Sequence, residues 1–495
     1  MNVLLIYPEF PDTYWTFRRA LRFYNKRAVL PPLGLLTVAS MLPRSWERRL
    51  VDMNVRPLKD SEIKWADIVF VSAMLIQKDS LRRVVERCKA YGKRVAVGGP
   101  YVTTLEEQIP GVDYVFLGEA ETTLPEFLHD LELGEAKSVY AAGERPSLAL
   151  TPPAEYRLAD LRRYFSMPVQ YSRGCPFQCE FCDIIEIYGR VPRTKTNEQV
   201  LAELDELLRL GWRGRVFIVD DNFIGNKKNV KRLLPELAEW SERHHHPFAF
   251  LTEASVNLAD DDELLRGMRR AGFRSVFLGI ETPIEESLKE TQKHQNTRND
   301  LLDSVRKIQA SGMDVMAGFI VGFDNDPEDV FERQIKFIED SAIPLAMVGI
   351  LQALPGTQLW RRLEREGRLL AEGTGNISEC GLTFIPKMDS DRLIEGYQSI
   401  IRKIYAPREY YQRVHDCLSR VVHSLPEPRR RDLLLDLSAL TRVLLTLGVR
   451  DKARGEFWKF LHKTLTEHRG RFELAIRLAV MGYHLRKLSE ANFEM

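Results

Sequence analysis

From the N-terminus to about residue 140, short unbroken apolar runs alternate with stretches of helical spacing. Val3–Tyr7, Arg49–Asp52, Ile68–Val71, Arg94–Val97 and Tyr114–Leu117 predict strands, and Lys78–Tyr91 predicts a helix between the third and fourth. Strands apolar on both faces and separated by helices predict a parallel, doubly wound sheet. Each strand after the first ends in small or polar residues: Asp52, Ser72, Gly98-Gly99-Pro100 and Gly118-Glu119. Such sheets bind ligands beyond the carboxyl ends of their strands. One glycine there only tightens a turn. Four such endings on one edge predict a ligand site.

Residues 141–167 hold Pro146, Pro152 and Pro153 without periodicity and predict a linker after a first domain of residues 1–140. A second alternating series follows, with strands expected at Pro168–Tyr171, Arg215–Val219, Phe248–Thr252, Ser275–Gly279, Val315–Val321 and Ala346–Leu351. Six such units are too few for the usual eight-stranded barrel, so a partial, open-sided (β/α)6 barrel is expected over 168–388. Residues 389–495 read as helical, interrupted by Arg429–Arg431. The fold class is thus α/β, with a helical C-terminal domain.

Composition narrows the function classes. Seventy-one Lys and Arg balance 70 Asp and Glu, so no global field attracts nucleic acid. Cys88, Cys380 and Cys417 are scattered; without a disulfide framework the chain reads as reduced and intracellular. Met1–Tyr7 lacks the pattern of a signal peptide. No apolar stretch approaches the roughly 20 residues of a spanning helix.

Cys175, Cys179 and Cys182 form a Cys-x3-Cys-x2-Cys loop directly after a predicted strand. Three thiolates can hold three corners of an iron–sulfur cube, and the fourth iron then stays open to a ligand. Zinc is the competing reading. It wants four ligands, commonly in two pairs, and here His244–His246 would have to supply the fourth. The spacing favours iron and sulfur.

The Cys-x3-Cys-x-Phe-Cys pattern, at the first strand of a six-unit partial barrel, resembles the radical S-adenosylmethionine (radical SAM) superfamily. The resemblance implies a 4Fe–4S cluster on Cys175, Cys179 and Cys182. It implies S-adenosylmethionine contacts from Phe181, from Asp220-Asp221-Asn222 where the family usually has Gly-Gly-Glu, from Glu253 and Ser255, and from Glu281. Gly318-Phe-Ile320-Val-Gly322 resembles the strand that stacks on adenine, and Pro355 follows the sixth strand near the adenine edge.

A doubly wound domain ahead of this one resembles the cobalamin-binding radical SAM enzymes. No Asp-x-His-x-x-Gly motif supplies an axial histidine, and Met74–Gln77 is where a residue covering the lower face of cobalamin is expected. Val97-Gly98-Gly99-Pro100-Tyr-Val-Thr103, Gly118-Glu119-Ala-Glu121 and Pro31-Pro32-Leu33-Gly34 resemble cobalamin-binding turns of the class. A dinucleotide reading would need Gly-x-Gly-x-x-Gly after the first strand, which Tyr7–Asp12 lacks.

The helical extension resembles a subgroup that includes hopanoid C-2 methylases, and the likeness also runs through Trp15 and Gln292–Arg298. It implies a methyltransferase in which a 5′-deoxyadenosyl radical activates an unactivated carbon and methylcobalamin supplies the methyl. The acceptor would be a small molecule or lipid, and the electron donor a flavodoxin or ferredoxin. A non-methylating radical reaction and a non-catalytic cobalamin-binding regulator are the rivals. The basic, aromatic segments Trp458–Leu465 and Phe472–Tyr483 read as core faces, with peripheral contact to the inner membrane as the alternative.

Overall fold

The computed structural model describes residues 1–105, 109–370, 373, 375–376, 381–421 and 433–492. Cys380 and Arg429–Arg431 lie outside them. The first six strands are β1 (Asn2–Tyr7), β2 (Glu47–Asp52), β3 (Ile68–Ser72), β4 (Arg94–Gly98), β5 (Tyr114–Leu117) and β6 (Val139–Ala141). They form one parallel sheet in the order β2-β1-β3-β4-β5-β6. Successive β1 residues serve opposite faces: Leu4 and Ile6 join one core, Val3 and Leu5 the other. That explains the unbroken apolar run. The strand order reverses between β1 and β3, the crevice where such sheets bind ligands.

A two-stranded antiparallel pair, β8 (Ser172–Arg173) and β9 (Arg193–Thr194), flanks the second sheet. That sheet contains β7 (Ser166–Val169), β10 (Gly214–Ile218), β11 (Phe248–Ala254), β12 (Phe273–Glu281), β13 (Asp314–Val321) and β14 (Leu345–Ile350). All pair in parallel and in chain order, with β7 and β14 at the two edges. The barrel is therefore open.

Residues 141–167 carry three single turns of 3-10 helix and pack tightly. The Tyr164 hydroxyl donates to Asp52 Oδ2 at 3.0 Å, and the Tyr156 hydroxyl donates to the Pro168 carbonyl at 2.7 Å. This segment thus ties the first sheet to the second.

Helices Ser390–Ile404, Pro407–Arg420, Leu433–Leu445, Arg454–Glu467 and Phe472–Asn492 make up the C-terminal region. They cover the β14 edge: the Tyr405 hydroxyl donates to the Ala346 carbonyl at 2.6 Å, and fully buried Arg413 donates to the Ile343 and Ile404 carbonyls and to Glu339. The last helix returns to the N-terminus, where His484 Nε2 meets the Thr13 carbonyl at 3.2 Å. Burial lowers the His484 pKa to about 4, so this bond comes from a neutral ring.

Candidate active site

The cysteine loop follows β8, beyond the carboxyl end of β7. Gly174 opens it at φ +96°, and a Cβ there would lie 2.8 Å from the Gly189 carbonyl, so only glycine fits. Cys175 N–H donates to that carbonyl at 3.2 Å. Asn222 Nδ2 donates to Cys175 Sγ at 3.7 Å, and Gln295 Nε2 to Cys179 Sγ at 3.6 Å. Burial raises the Cys175 and Cys182 thiols, and Asp183 adds to the rise at Cys182. Metal binding must therefore expel protons from these sulfurs.

Among the described residues, His415, Glu467 and His468 are the trio whose ligand atoms all lie within 4.8 Å of one another; the three cysteine sulfurs are spread wider. A tetrahedral zinc with Zn–S of about 2.3 Å would draw its thiolates closer together. His245 and His246 sit at φ +59° and +52° in the turn after helix Lys227–Arg243. Three spread thiols with two amide donors to sulfur suit the corners of a 4Fe–4S cube.

The loop is clamped by its neighbours. Glu180 accepts Arg362 Nη2 at 2.5 Å, and its carbonyl accepts Leu359 N–H at 2.8 Å. Asp220 accepts Tyr171 N–H at 2.8 Å and the Ser172 hydroxyl at 2.7 Å, and Asp221 accepts Gly174 N–H at 3.0 Å. These aspartates hold the base of the loop. Asn222 also links to Ser255, whose hydroxyl donates to Asn257 at 2.6 Å. The carboxylate of Glu253, near the end of β11, has no hydrogen-bond partner among the described residues. Burial first, then repulsion from neighbouring carboxylates, raises Asp220 to about 7 (beside Asp221), Asp221 to about 6 (beside Asp183) and Glu253 to about 8 (beside both aspartates). A cation entering here relieves that repulsion, which suits the ammonium and sulfonium of S-adenosylmethionine.

Glu281 lies at φ +64°, where the β12–β13 register shifts, and binds the Lys293 ammonium. Lys293 also stands 5.7 Å over the Phe181 ring. A Cβ on Gly279 would lie 2.6 Å from Glu281 Oε1 and 2.7 Å from Lys293 Nζ. Gly318 faces the Phe277 ring, which packs at a tilt against Trp15, ring centroids 4.9 Å apart. Ile320 and Phe181 pack against one apolar cluster that includes Phe323 and Leu351, and Gly322 turns at φ +99°. Buried Pro355 precedes Gly356, whose Cβ would come 3.6 Å from the Thr104 carbonyl of the first domain.

On the first sheet, Gly99 turns at φ +98°, and a Cβ there would lie 2.6 Å from Ser72 Oγ. Gly98 packs on Phe116, and Pro100 opens helix Pro100–Leu105. Thr103 Oγ1 accepts Gly118 N–H at 3.0 Å. Pro32 caps helix Leu33–Met41; a Cβ on Gly34 would meet nothing within 4 Å. Within Met74–Gln77, Gln77 turns inward to the Pro8 carbonyl while Met74 is 47% exposed. Asp52 is occupied by Asn54 and Tyr164.

Glu119 and Glu121 have buried partners in the second domain. Arg173 donates to Glu119 at 2.5 Å and to Glu121 at 2.8 Å, and Arg193 donates to Glu119 at 2.6 Å. Burial alone would raise the Glu121 carboxyl, but Arg173 outweighs it and holds it below its ordinary value. Sequence reasoning missed Arg173, Arg193, Lys293, Gln295 and Arg362. The usable signals were two arginines flanking the loop at Arg173 and Arg193, and the position of Lys293 and Gln295 within Gln292–Arg298.

Family models match three stretches: a B12 binding domain at residues 25–128, the Radical SAM superfamily at 169–338, and a domain of unknown function, DUF4070, at 357–494. The chain is 36% identical to a hopanoid C-2 methylase of Rhodopseudomonas palustris, over 98% of this chain and 93% of that protein. This chain belongs to the cobalamin-binding radical SAM family. It is also 46% identical to an uncharacterized methyltransferase, sll1242, of Synechocystis, over 99% of this chain and 92% of that one. The fold matches the cobalamin-dependent radical enzyme OxsB with aqua-cobalamin and S-adenosylmethionine bound, at TM-score 0.64 and 17% identity, covering 100% of this chain and 80% of that one. It matches the methyltransferase TsrM of Kitasatospora setae, with cobalamin and a 4Fe–4S cluster bound, at TM-score 0.62 and 14% identity, covering 99% of both chains. The protein is thus a radical SAM methyltransferase whose cofactors are a 4Fe–4S cluster, S-adenosylmethionine and cobalamin.

Proposed function

We propose that this methyltransferase acts on an unactivated carbon of a polycyclic lipid of the hopanoid kind. Its near full-length likeness to a hopanoid C-2 methylase supports the substrate class. The observation that supports the geometry is the tie from Arg173 to Glu119 and Glu121, which holds the cysteine loop against the strand-end edge of the first domain. Effective reaction needs both reacting centres within one water-poor crevice.

When bound, the cluster and S-adenosylmethionine supply one-electron cleavage to a 5′-deoxyadenosyl radical, and cobalamin supplies the methyl group. In our reading the chain binds and orients. Asn222 and Gln295 hold the thiolates by hydrogen bonds to sulfur. Glu253 would meet the cationic end of S-adenosylmethionine, and Phe181, Gly318 and Ile320 would line its adenine. Gly98, Gly99 and Thr103 would admit cobalamin at the strand ends, and exposed Met74 would lie beside it. The Trp15–Phe277 pair offers an apolar wall to a ring system. The electron donor is a flavodoxin or ferredoxin, and the protein works in the cytoplasm beside the inner membrane.

Anaerobic incubation with methyl-labelled S-adenosylmethionine, cobalamin, reductant and a hopanoid tests the reading. The expected product is the hopanoid carrying one extra labelled carbon. Deoxyadenosine with an unmethylated hopanoid, while another compound class gains the label, overturns the lipid assignment.

A further inference from the structure

Segments near the two ends of the sequence, within residues 12–23 and 442–487, line a cavity of about 660 Å3 that shares no residue with the cysteine loop or either cofactor edge. Six of its ten lining residues are cationic: Arg18, Arg19, Arg22, Arg442, Arg450 and Lys487. The acids that face these cations are few. Arg18 pairs with Glu9 at 3.0 Å, Arg19 with Asp12 at 3.4 Å, and Lys487 with Glu490 at 2.5 Å. Arg442 gives one N–H to the Phe23 carbonyl at 3.0 Å. The Arg22 and Arg450 side chains, both exposed, have no ion pair or hydrogen bond among the described residues. Concentrating like charges raises local repulsion, so the site as built calls for an anion. Guanidinium forks suit phosphate oxygens in particular.

The surface beside the cavity selects among phosphates. Arg442, Thr446 and Arg450 recur every fourth residue along helix Leu433–Leu445 and the turn that continues it. One position earlier on the same spiral stand Leu445 and Val449, 48% and 58% exposed. Trp458 is 47% exposed and held in place by its Nε1–H bond to the Gly448 carbonyl at 2.8 Å. A free phosphate needs no apolar rim. A membrane surface meets both features, with the arginines at headgroup level and the leucine, valine and indole at the acyl boundary.

We propose that this cavity is a docking site for the phosphate headgroup of an anionic phospholipid, seating the protein on the membrane through Arg22, Arg442 and Arg450. The proposal does not depend on the hopanoid assignment.

Vesicle flotation of the cofactor-loaded protein tests it, with phosphatidylglycerol and phosphatidylcholine vesicles compared. Binding is expected only to the anionic vesicles and should weaken with salt. R22A/R450A should lower vesicle affinity about 30-fold, taking roughly 1 kcal/mol per arginine and 1.4 kcal/mol per tenfold. V449D should weaken it through the rim while leaving the cavity charges intact. Melting curves by circular dichroism verify that the variants fold. Equal binding to both vesicle types, or unchanged binding by folded R22A/R450A, overturns the proposal. So does calorimetric binding of inorganic phosphate in a protein that ignores anionic vesicles, since the ligand would then be free in solution.

Discussion

Arg173 joins two domains by side-chain chemistry alone. It stands two residues before Cys175, is 11% exposed at its side chain, and satisfies two buried carboxylates. Removing one partner of such a group costs about 3–5 kcal/mol, because the other charges remain buried. Arg173→Ala should therefore lower the melting temperature and reduce iron retained after reconstitution. Arg173→Lys should recover only part, since an ammonium cannot fork between Glu119 and Glu121. The carboxyls near the loop make a separate prediction about pH. Asp220, Asp221 and Glu253 all titrate above their unfolded values in the cofactor-free protein. A raised pKa favours folding fully at low pH, and that contribution fades as pH rises through the folded value. Apo stability should fall between about pH 4 and pH 8, and Glu253→Gln should flatten the upper part of that fall in thermal melts. At this scale the sequence displayed the candidate ligands and hid the residues that surround them. Spacing betrays three cysteines because chemistry demands them close together. Lys293 and Gln295 reach the loop from more than a hundred residues away, and spacing says nothing of that.

Strands and turns were the most legible elements. Every strand expected in the two sheets forms, with ends shifted by a residue or two, because burial on both faces writes a continuous apolar run. β6 escaped notice. It has three residues, of which Val139 is exposed and only Tyr140 is buried, so it carries no run to read. Residues 141–167 read as a linker because prolines break periodicity, yet Tyr156 and Tyr164 bury themselves between the sheets. The turn after β4 is the element most exposed to a small change. Gly99→Ala must hold alanine at φ +98° with Cβ 2.6 Å from Ser72 Oγ. Strain of that kind costs of order 1–3 kcal/mol. Cobalamin retention, read from its visible absorption after gel filtration, should drop for Gly99→Ala, while iron content stays near wild type.

As a whole, the molecule is an open barrel sealed by what precedes and follows it. Counting six strand–helix units foretold the opening, but not how the β14 edge is covered. Arg413 does much of that covering, with no exposure and three acceptors on neighbouring segments. Arg413→Leu should destabilise the chain by about 3–5 kcal/mol, seen as an earlier denaturation midpoint, because Glu339 and two carbonyls lose their partner together. No helix among the described residues is long and apolar enough to cross a membrane. The Arg173 tie also bears on how this architecture can be rebuilt. A chimaera that imports the first domain of a relative inherits a foreign surface opposite Arg173 and Arg193. Unless carboxylates arrive at positions 119 and 121 along with it, two buried guanidiniums are stranded at the seam. The halves are therefore not interchangeable parts: this pair of acids and pair of arginines has to be transplanted as one unit.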